Sequence, residues 1–275
     1  MTGKEIRLRK FFERGRVFIL ALDHGIATED INGIERPLEL LKNLSRSGVD
    51  SMLMTPSMIK TVKEVFFSRS SPLFLARLDT VNVWRSSKKY DSGYYAQVYS
   101  VKEAVRAGAD GVISFLILGY YDDKVEGYNV EKLAQIRAEA EDYGIPFFIE
   151  PVFISREVSD SIRNPVVLKY LVRFSSEIGA DVLKVDYTGD KYTFSEVIKA
   201  SFVPVLMRGG PKTNTEEEFL KIVKDAIDAG AMGATIGRNV WKSKDPVKMA
   251  RAVSLIIHEN ISVKDAMKVF NSQGG

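Results

Sequence analysis

One local phrase recurs along the chain and limits what it can fold into. A helix-like stretch ends in Gly, a small residue follows, and an apolar strand-like run begins. The clearest copies are Ser47-Gly-Val-Asp-Ser-Met-Leu53, Ala107-Gly-Ala-Asp-Gly-Val-Ile113, Ile178-Gly-Ala-Asp-Val-Leu-Lys184 and Ala229-Gly-Ala-Met-Gly-Ala-Thr235, with a looser one at Tyr143-Gly-Ile-Pro-Phe-Phe-Ile149. Glycine after a helix takes the left-handed conformation without a Cβ penalty. The apolar runs lack clean alternation, as parallel strands covered by helices do.

Reading every such run gives eight strands, at 17–22, 51–54, 73–77, 111–116, 146–150, 181–185, 203–207 and 234–236. Their mean spacing of about 31 residues is that of one βα unit. Helical patterns lie between most of them, strongest at 101–107, 130–143, 165–178 and 215–229. Asn164-Pro165 and Asp245-Pro246 read as helix caps followed by a first-turn proline, and Thr215-Glu-Glu-Glu218 has the capping-box form. Eight alternating units favour a closed (β/α)₈ barrel over an open sheet, and no glycine-rich dinucleotide or P-loop motif appears. No linker divides the chain, so 1–275 reads as a single domain. The connection 79–99, with Trp84, Arg85, Lys88, Lys89, Tyr90, Tyr94, Tyr95 and Tyr99, is long for a barrel loop. It is either a lid or subunit contact over the barrel mouth, or a surface excursion.

The scarce residue types narrow the chemistry. There is no Cys, hence no disulfide framework or thiolate nucleophile, and there are only two His, His24 and His258. Zinc catalysis usually needs two or three His on one site, so a metal-independent enzyme without a cofactor is expected, resting on carboxylates, Lys, Tyr or Ser. A carboxylate-bound magnesium remains open. The charge balance of 39 basic against 36 acidic residues, with no basic block, does not point to nucleic acid. No apolar run approaches a membrane span, and the polar start over 1–10 carries no secretory signal, so a cytoplasmic protein is expected.

Barrel enzymes keep their chemistry at the C-terminal ends of the strands. Here those ends carry Asp23, Arg77, Ser114, Glu150, Lys184, Arg208 and Gly237-Arg238. Residues two apart share a strand face, so Asp23 joins Ala21 and Ile19, Glu150 joins Phe148, and Lys184 joins Val182 on the inward face. A desolvated Lys184 has a lowered pKa and can attack a carbonyl to form a Schiff base; alternatively it snorkels, or pairs with Asp186. Asp23 is a carboxylate for proton transfer or hydroxyl binding, or a polar turn residue closed by Gly25. His24, one position along, points elsewhere on an ideal strand, and His258 reads as structural. Glu150 is a general acid or base, or an ion-pair partner of Lys184 or Arg208. Two loops suggest a phosphate cradle: Arg208-Gly-Gly-Pro-Lys-Thr-Asn214 and Ile236-Gly-Arg-Asn239. In them Gly209, Gly210 and Gly237 admit backbone N–H groups to an anion, and Arg238 supplies charge. Ordinary turn glycines are the alternative.

With these residues in place, the sequence resembles the archaeal-type class I aldolases, a group that includes fructose-bisphosphate aldolases and 2-amino-3,7-dideoxy-D-threo-hept-6-ulosonate synthase. The likeness is strongest in Gly179-Ala-Asp-Val-Leu-Lys184, Tyr187-Thr-Gly-Asp190, Gly209-Gly-Pro-Lys-Thr-Asn-Thr-Glu-Glu-Glu-Phe219 and Gly237-Arg-Asn239, and Leu22-Asp-His-Gly25 matches the family's first strand end. The resemblance implies that Lys184 is the Schiff-base lysine, that Asp23 is a catalytic carboxylate, and that Gly209, Gly210, Gly237 and Arg238 hold a substrate phosphate. Arg208 and His24 join them as candidate substrate contacts. Better-known members carry a Tyr after the fifth strand in a Tyr-Pro-Arg-Gly phrase. This chain has Ile149-Glu-Pro-Val-Phe-Ile-Ser155 instead, similar to tagatose-bisphosphate aldolase relatives with a Glu there. Glu150 is therefore the local proton-transfer candidate. Arg208 also departs from the small residue more usual before the Gly-Gly in synthase-like members. The expected function is a class I aldolase acting on a phosphorylated ketose or related keto compound, in a homo-oligomer. A transaldol-type synthase of aromatic precursor formation, a thiolase-like acyl transferase and a phosphosugar-binding regulator are the alternatives.

Overall fold

The computed structural model describes residues 2–44, 46–62, 71–85, 93–154 and 163–272. Ten strands run β1 (Val17–Ala21), β2 (Ser51–Met54), β3 (Leu73–Arg77), β4 (Asp79–Val81), β5 (Tyr95–Gln97), β6 (Gly111–Leu118), β7 (Phe147–Phe153), β8 (Val182–Asp186), β9 (Val205–Arg208) and β10 (Gly233–Ile236). Eight of them close into a parallel barrel in the order β1-β10-β9-β8-β7-β6-β3-β2. Each barrel strand corresponds to one of the eight apolar runs.

The glycine phrase works as expected at the helix ends: Gly48, Gly108, Gly179 and Gly230 have φ of 88°, 101°, 95° and 107°. The residue two places on does more than the sequence suggests. Asp50, Asp110 and Asp181 each accept a hydrogen bond from the backbone N–H of the neighbouring strand, at Phe18 (2.7 Å), Phe74 (3.0 Å) and Phe147 (2.8 Å). Each donates its own N–H back to the carbonyl of the same Phe. The three aspartates therefore tie adjacent strands together at the end of the barrel away from the mouth. In the fourth copy Met232 has no side-chain acceptor, and only the backbone bond to Val205 remains.

Inward positions on the strands (Ile19, Ala21, Leu53, Leu75, Ile113, Phe148, Val182, Leu206) fill the barrel's own core. The helix α1 (Gly3–Phe11) plugs that core from below: Phe11 is buried with its ring 5.1 Å from Phe148. Burying a Phe this fully is worth about 1.5–3 kcal/mol. A capping box at Thr2 starts this helix, and its mostly charged sequence conceals it in a purely apolar reading. The outer layer comprises α2 (Pro37–Leu44), α3 (Pro56–Val62), α4 (Val101–Ala107), α5 (Asp123–Asp142), α6 (Pro165–Glu177), α7 (Lys191–Lys199), α8 (Glu216–Asp228), α9 (Arg238–Trp241), α10 (Pro246–Glu259) and α11 (Val263–Asn271). Asn164 and Asp245 cap α6 and α10 as expected. At α8 only half of the expected box forms. Thr215 accepts from Glu218 N, but the Glu218 carboxylate takes the N–H of Asn214 instead of that of Thr215.

One sequence expectation is revised and another is made specific. Strand β6 runs on to Leu118, so Ser114 lies mid-strand on the face shared with Val112 and Leu116, turned from the barrel interior. The segment 79–99, for which the sequence leaves a lid or subunit contact and a surface excursion both open, forms in its described part an antiparallel hairpin, β4 with β5. The side chain of Thr80 in β4 donates to the Ile26 carbonyl after β1, which holds the hairpin against the mouth. Lys88, Lys89 and Tyr90 lie outside the described residues, as does Ser155.

Candidate active site

The mouth of the barrel encloses a cavity of about 230 Å³ whose lining includes Asp23, His24, Arg77, Trp84, Phe115, Glu150, Lys184, Arg208, Gly209, Gly210, Thr235, Gly237 and Arg238. All nine site residues expected from the sequence are in that set. Strand parity is the reason for Asp23, Glu150 and Lys184: residues 19–21–23, 148–150 and 182–184 continue the inward face of β1, β7 and β8, while the glycines and Arg238 come from the loops after β9 and β10. His24 departs from its expectation. The chain leaves β1 and enters a 3₁₀ turn at His24–Ile26, which swings the imidazole back over the cavity. His258 is structural, bonded to Asp50 at 2.9 Å at the opposite end of the barrel.

Lys184 is 6 % exposed, and its Nζ donates to Glu150 Oε2 at 2.9 Å. Arg208 Nε meets the other oxygen, Oε1, at 3.1 Å. Arg208 also donates to Asp186 Oδ2 at 2.9 Å, so Asp186 serves Arg208 and not Lys184. Glu150 thus binds both partners that its ion-pair alternative named. Burial pushes the Lys184 amine below the ordinary lysine range; Glu150 and Asp23 oppose this, while Arg77 and Arg208 add to it. Burial alone would raise the Glu150 carboxyl, but Lys184, Arg77 and Arg208 together hold it down at about 2. Burial works upward on Asp23 too, and Arg77 and Lys184 outweigh it, so Asp23 is also held below its usual range. Burial drives the His24 imidazole down to about 4 against the pull of Asp23. At neutral pH the site therefore holds two carboxylates, a neutral imidazole and an amine eased toward its free-base form.

Three residues outside the expected site set prove central. Arg77 was visible as a strand-end charge sharing parity with Leu73 and Leu75, yet is wholly buried among the carboxylates. Trp84 from the hairpin sits 5.1 Å from the Phe115 ring and under the Arg208 guanidinium at 4.9 Å, roofing the cavity. Asn239 is completely buried and ties the two glycine loops together. Its Nδ2 donates to Gly209 O (3.0 Å) and Pro211 O (2.8 Å), and its Oδ1 accepts from Thr213 N (3.0 Å). Its place at the end of the Gly237-Arg-Asn239 phrase was the signal for it. The glycines at this rim have steric causes. A Cβ on Gly237 would lie 2.5 Å from His24 Cε1 and 3.0 Å from the Ala21 carbonyl, and Gly210 has φ +64°. Of the other shared motif, Asp190 is the N-cap of α7.

Comparison with known proteins agrees with this geometry. Residues 17–243 match the family model described as DeoC/LacD family aldolase. An uncharacterized aldolase of Saccharolobus solfataricus is 52% identical over 98% of this chain and 99% of its own length. The class 1 fructose-bisphosphate aldolase of Thermoproteus tenax is 34% identical over 95% of this chain and 97% of its own. The 2-amino-3,7-dideoxy-D-threo-hept-6-ulosonate synthase 1 of Archaeoglobus fulgidus is 33% identical over 98% and 96%. Among solved structures, an archaeal fructose 1,6-bisphosphate aldolase superposes with a TM-score of 0.82 at 33% identity, over 94% of this chain and 99% of that one. Another, with its catalytic Lys covalently bound to the carbinolamine intermediate of its substrate, matches with a TM-score of 0.82 at 31% identity, over 93% and 99%. The chain belongs to the DeoC/LacD aldolase family, as a class I aldolase on a (β/α)₈ barrel.

Proposed function

We propose that this chain, acting as one catalytic domain over 1–275, cleaves and re-forms the bond between the α- and β-carbons of a phosphorylated ketose or related keto compound through an imine on Lys184. The observation that carries the reading is the buried Lys184 amine, 2.9 Å from an ionised Glu150 and in one cavity with the arginine- and glycine-lined rim. The free amine adds to the ketone carbon, and the carbonyl oxygen takes up a proton to give a carbinolamine. Protonation of the carbinolamine hydroxyl from solvent and loss of water give the iminium. A carboxylate then accepts the proton of the β-hydroxyl, the C–C bond electrons flow into the iminium, and the aldehyde leaves behind an enamine. The same proton returns to the enamine carbon, and water releases the product ketone.

Glu150, ionised well below neutral pH, enters this cycle as a base. Asp23, which lines the same cavity, holds a substrate hydroxyl. The backbone N–H groups of Gly210, Gly237 and Arg238 receive the phosphate, with the Arg238 and Arg208 guanidiniums beside it; contrary to the sequence expectation, the Gly209 N–H is already taken by the Thr235 carbonyl at 2.9 Å, so Gly209 contributes only its lack of a side chain. Crowding at Gly237 and the Asn239 clamp on the β9 loop favour a preformed cradle. The expected outcome for Arg238→Ala is a loss of about 1.5–3 kcal/mol in binding of phosphorylated substrates, with unphosphorylated analogues little affected. Titrating a panel of keto sugars and their phosphates against both proteins checks this. Equal affinity of wild type and variant for the phosphates would remove Arg238 from the site.

A further inference from the structure

Among the described residues Arg77 is the largest fully buried side chain, and every nitrogen of its guanidinium faces an acidic side chain from a different part of the fold. Nε donates to Asp23 Oδ2 at 2.8 Å, at the end of β1. Nη1 lies 3.4 Å from Asp79 Oδ1 at the base of the hairpin. Nη2 donates to Glu150 Oε2 on β7, the same oxygen that receives Lys184 Nζ. The flat face of the cation rests on the Phe115 ring, 3.7 Å from its centroid. Asp79 is itself fixed from behind, because its Oδ2 accepts from Phe115 N at 2.7 Å.

A charged side chain removed from water this completely is costly unless it is paired, and the pairing here includes the Glu150 carboxylate that Lys184 also binds and the Asp23 carboxylate of the same cavity. A lysine ammonium has no planar fork and could not address three such directions at once. We propose that Arg77 is a positioning residue for the aldolase chemistry: it holds Asp23 and Glu150 in fixed places in the cavity of Lys184 and balances their charge, so that the amine is free to attack. The proposal rests on the reading of Lys184 as the imine-forming group.

The groups facing this cluster are Asp23 and His24 after β1, Asp79 on β4, Tyr95 on β5, Glu150 on β7, Lys184 on β8 and Arg208 on β9. Among them Arg208 is the only other guanidinium on Glu150, and it does not reach Asp23. Without Arg77, two carboxylates would therefore face Lys184 with one counter-charge fewer, and both favour the ammonium form.

The test follows borohydride trapping of a keto substrate on Lys184 as a function of pH, together with kcat and KM, in wild type, Arg77→Lys and Arg77→Met, each checked for folding by circular dichroism. In Arg77→Met the trapping midpoint should rise by about one pH unit or more, and kcat should fall at least about tenfold with a smaller change in KM. Arg77→Lys restores the charge, so its midpoint should return to within about half a unit of wild type while kcat stays about tenfold low, the fork being lost. A residue that merely supported the fold would lower stability without moving the midpoint. Wild-type trapping and kcat in Arg77→Lys would overturn the proposal even if Arg77→Met fails to fold, as would an unshifted midpoint in a folded Arg77→Met. A wild type that is never trapped on Lys184 would instead overturn the Schiff-base reading, and the role of Arg77 with it.

Discussion

At the residue scale, burial does two opposite things in this site. It weakens the proton's hold on Lys184 and on His24, and it would strengthen that hold on Glu150 and Asp23 were the cations not there. Strand parity made Lys184, Asp23 and Glu150 legible, because the inward alternation simply continues past the last apolar residue. It could not show which cation neutralises which carboxylate, since that depends on side chains from β3, β7 and β9 meeting across the barrel. Hence Arg77 appeared only as one more strand-end charge. The direction of the His24 side chain was not legible, because a turn, and not a strand, governs it.

The low pKa of His24 also has a stability consequence. A folded-state value of about 4, below the unfolded reference of about 6.5, means that only the unfolded chain takes up this proton between those values. Stability should therefore be unaffected by His24 above pH 6.5 and fall as the pH drops from about 6.5 toward 4. Relative to wild type, a His24→Asn variant should lose less stability over that window, in urea unfolding followed at several pH values. Parallel pH curves for the two proteins would contradict the buried neutral imidazole.

At the scale of elements, the repeated phrase encodes both the helix stop and the start of the next strand. The helix-terminating glycines were readable from their position alone. The aspartate that follows was not, because its partner is a backbone N–H on the strand that comes before it in the sheet, more than thirty residues earlier. Asp110→Ala leaves the Phe74 N–H without its acceptor at the end of the barrel remote from the chemistry. The expected cost is about 1–3 kcal/mol of unfolding free energy with kcat unchanged at moderate temperature. Chemical denaturation with parallel steady-state assays checks it; wild-type stability would remove the aspartates from the account of barrel closure. The hairpin of β4 and β5 escaped because its strands are only three residues each and carry polar side chains. Helix α1 escaped because its one buried residue, Phe11, sits at its end.

At the scale of the whole molecule, the barrel separates its tasks by end. The aspartate ties, α1 and the His258–Asp50 pair lie below, while the cations, the carboxylates and the two glycine loops lie above. The two histidines are thus at opposite ends, and with no cysteine in the chain they cannot share a zinc ion. Activity is expected to survive exhaustive dialysis against EDTA; a loss restored by a divalent metal would contradict the imine route. Among the described residues no helix is long and apolar enough to cross a membrane. The barrel was the most legible feature of all, since eight βα units spaced about 31 residues apart leave few other closures. The claim on which the rest depends is the covalent one. Borohydride reduction in the presence of a phosphorylated keto substrate, read by intact mass and peptide mapping, should add one reduced substrate per chain, on Lys184 alone, and none in Lys184→Arg, whose guanidinium cannot form an imine. An adduct on another lysine, or near-normal turnover in Lys184→Arg, would contradict the account.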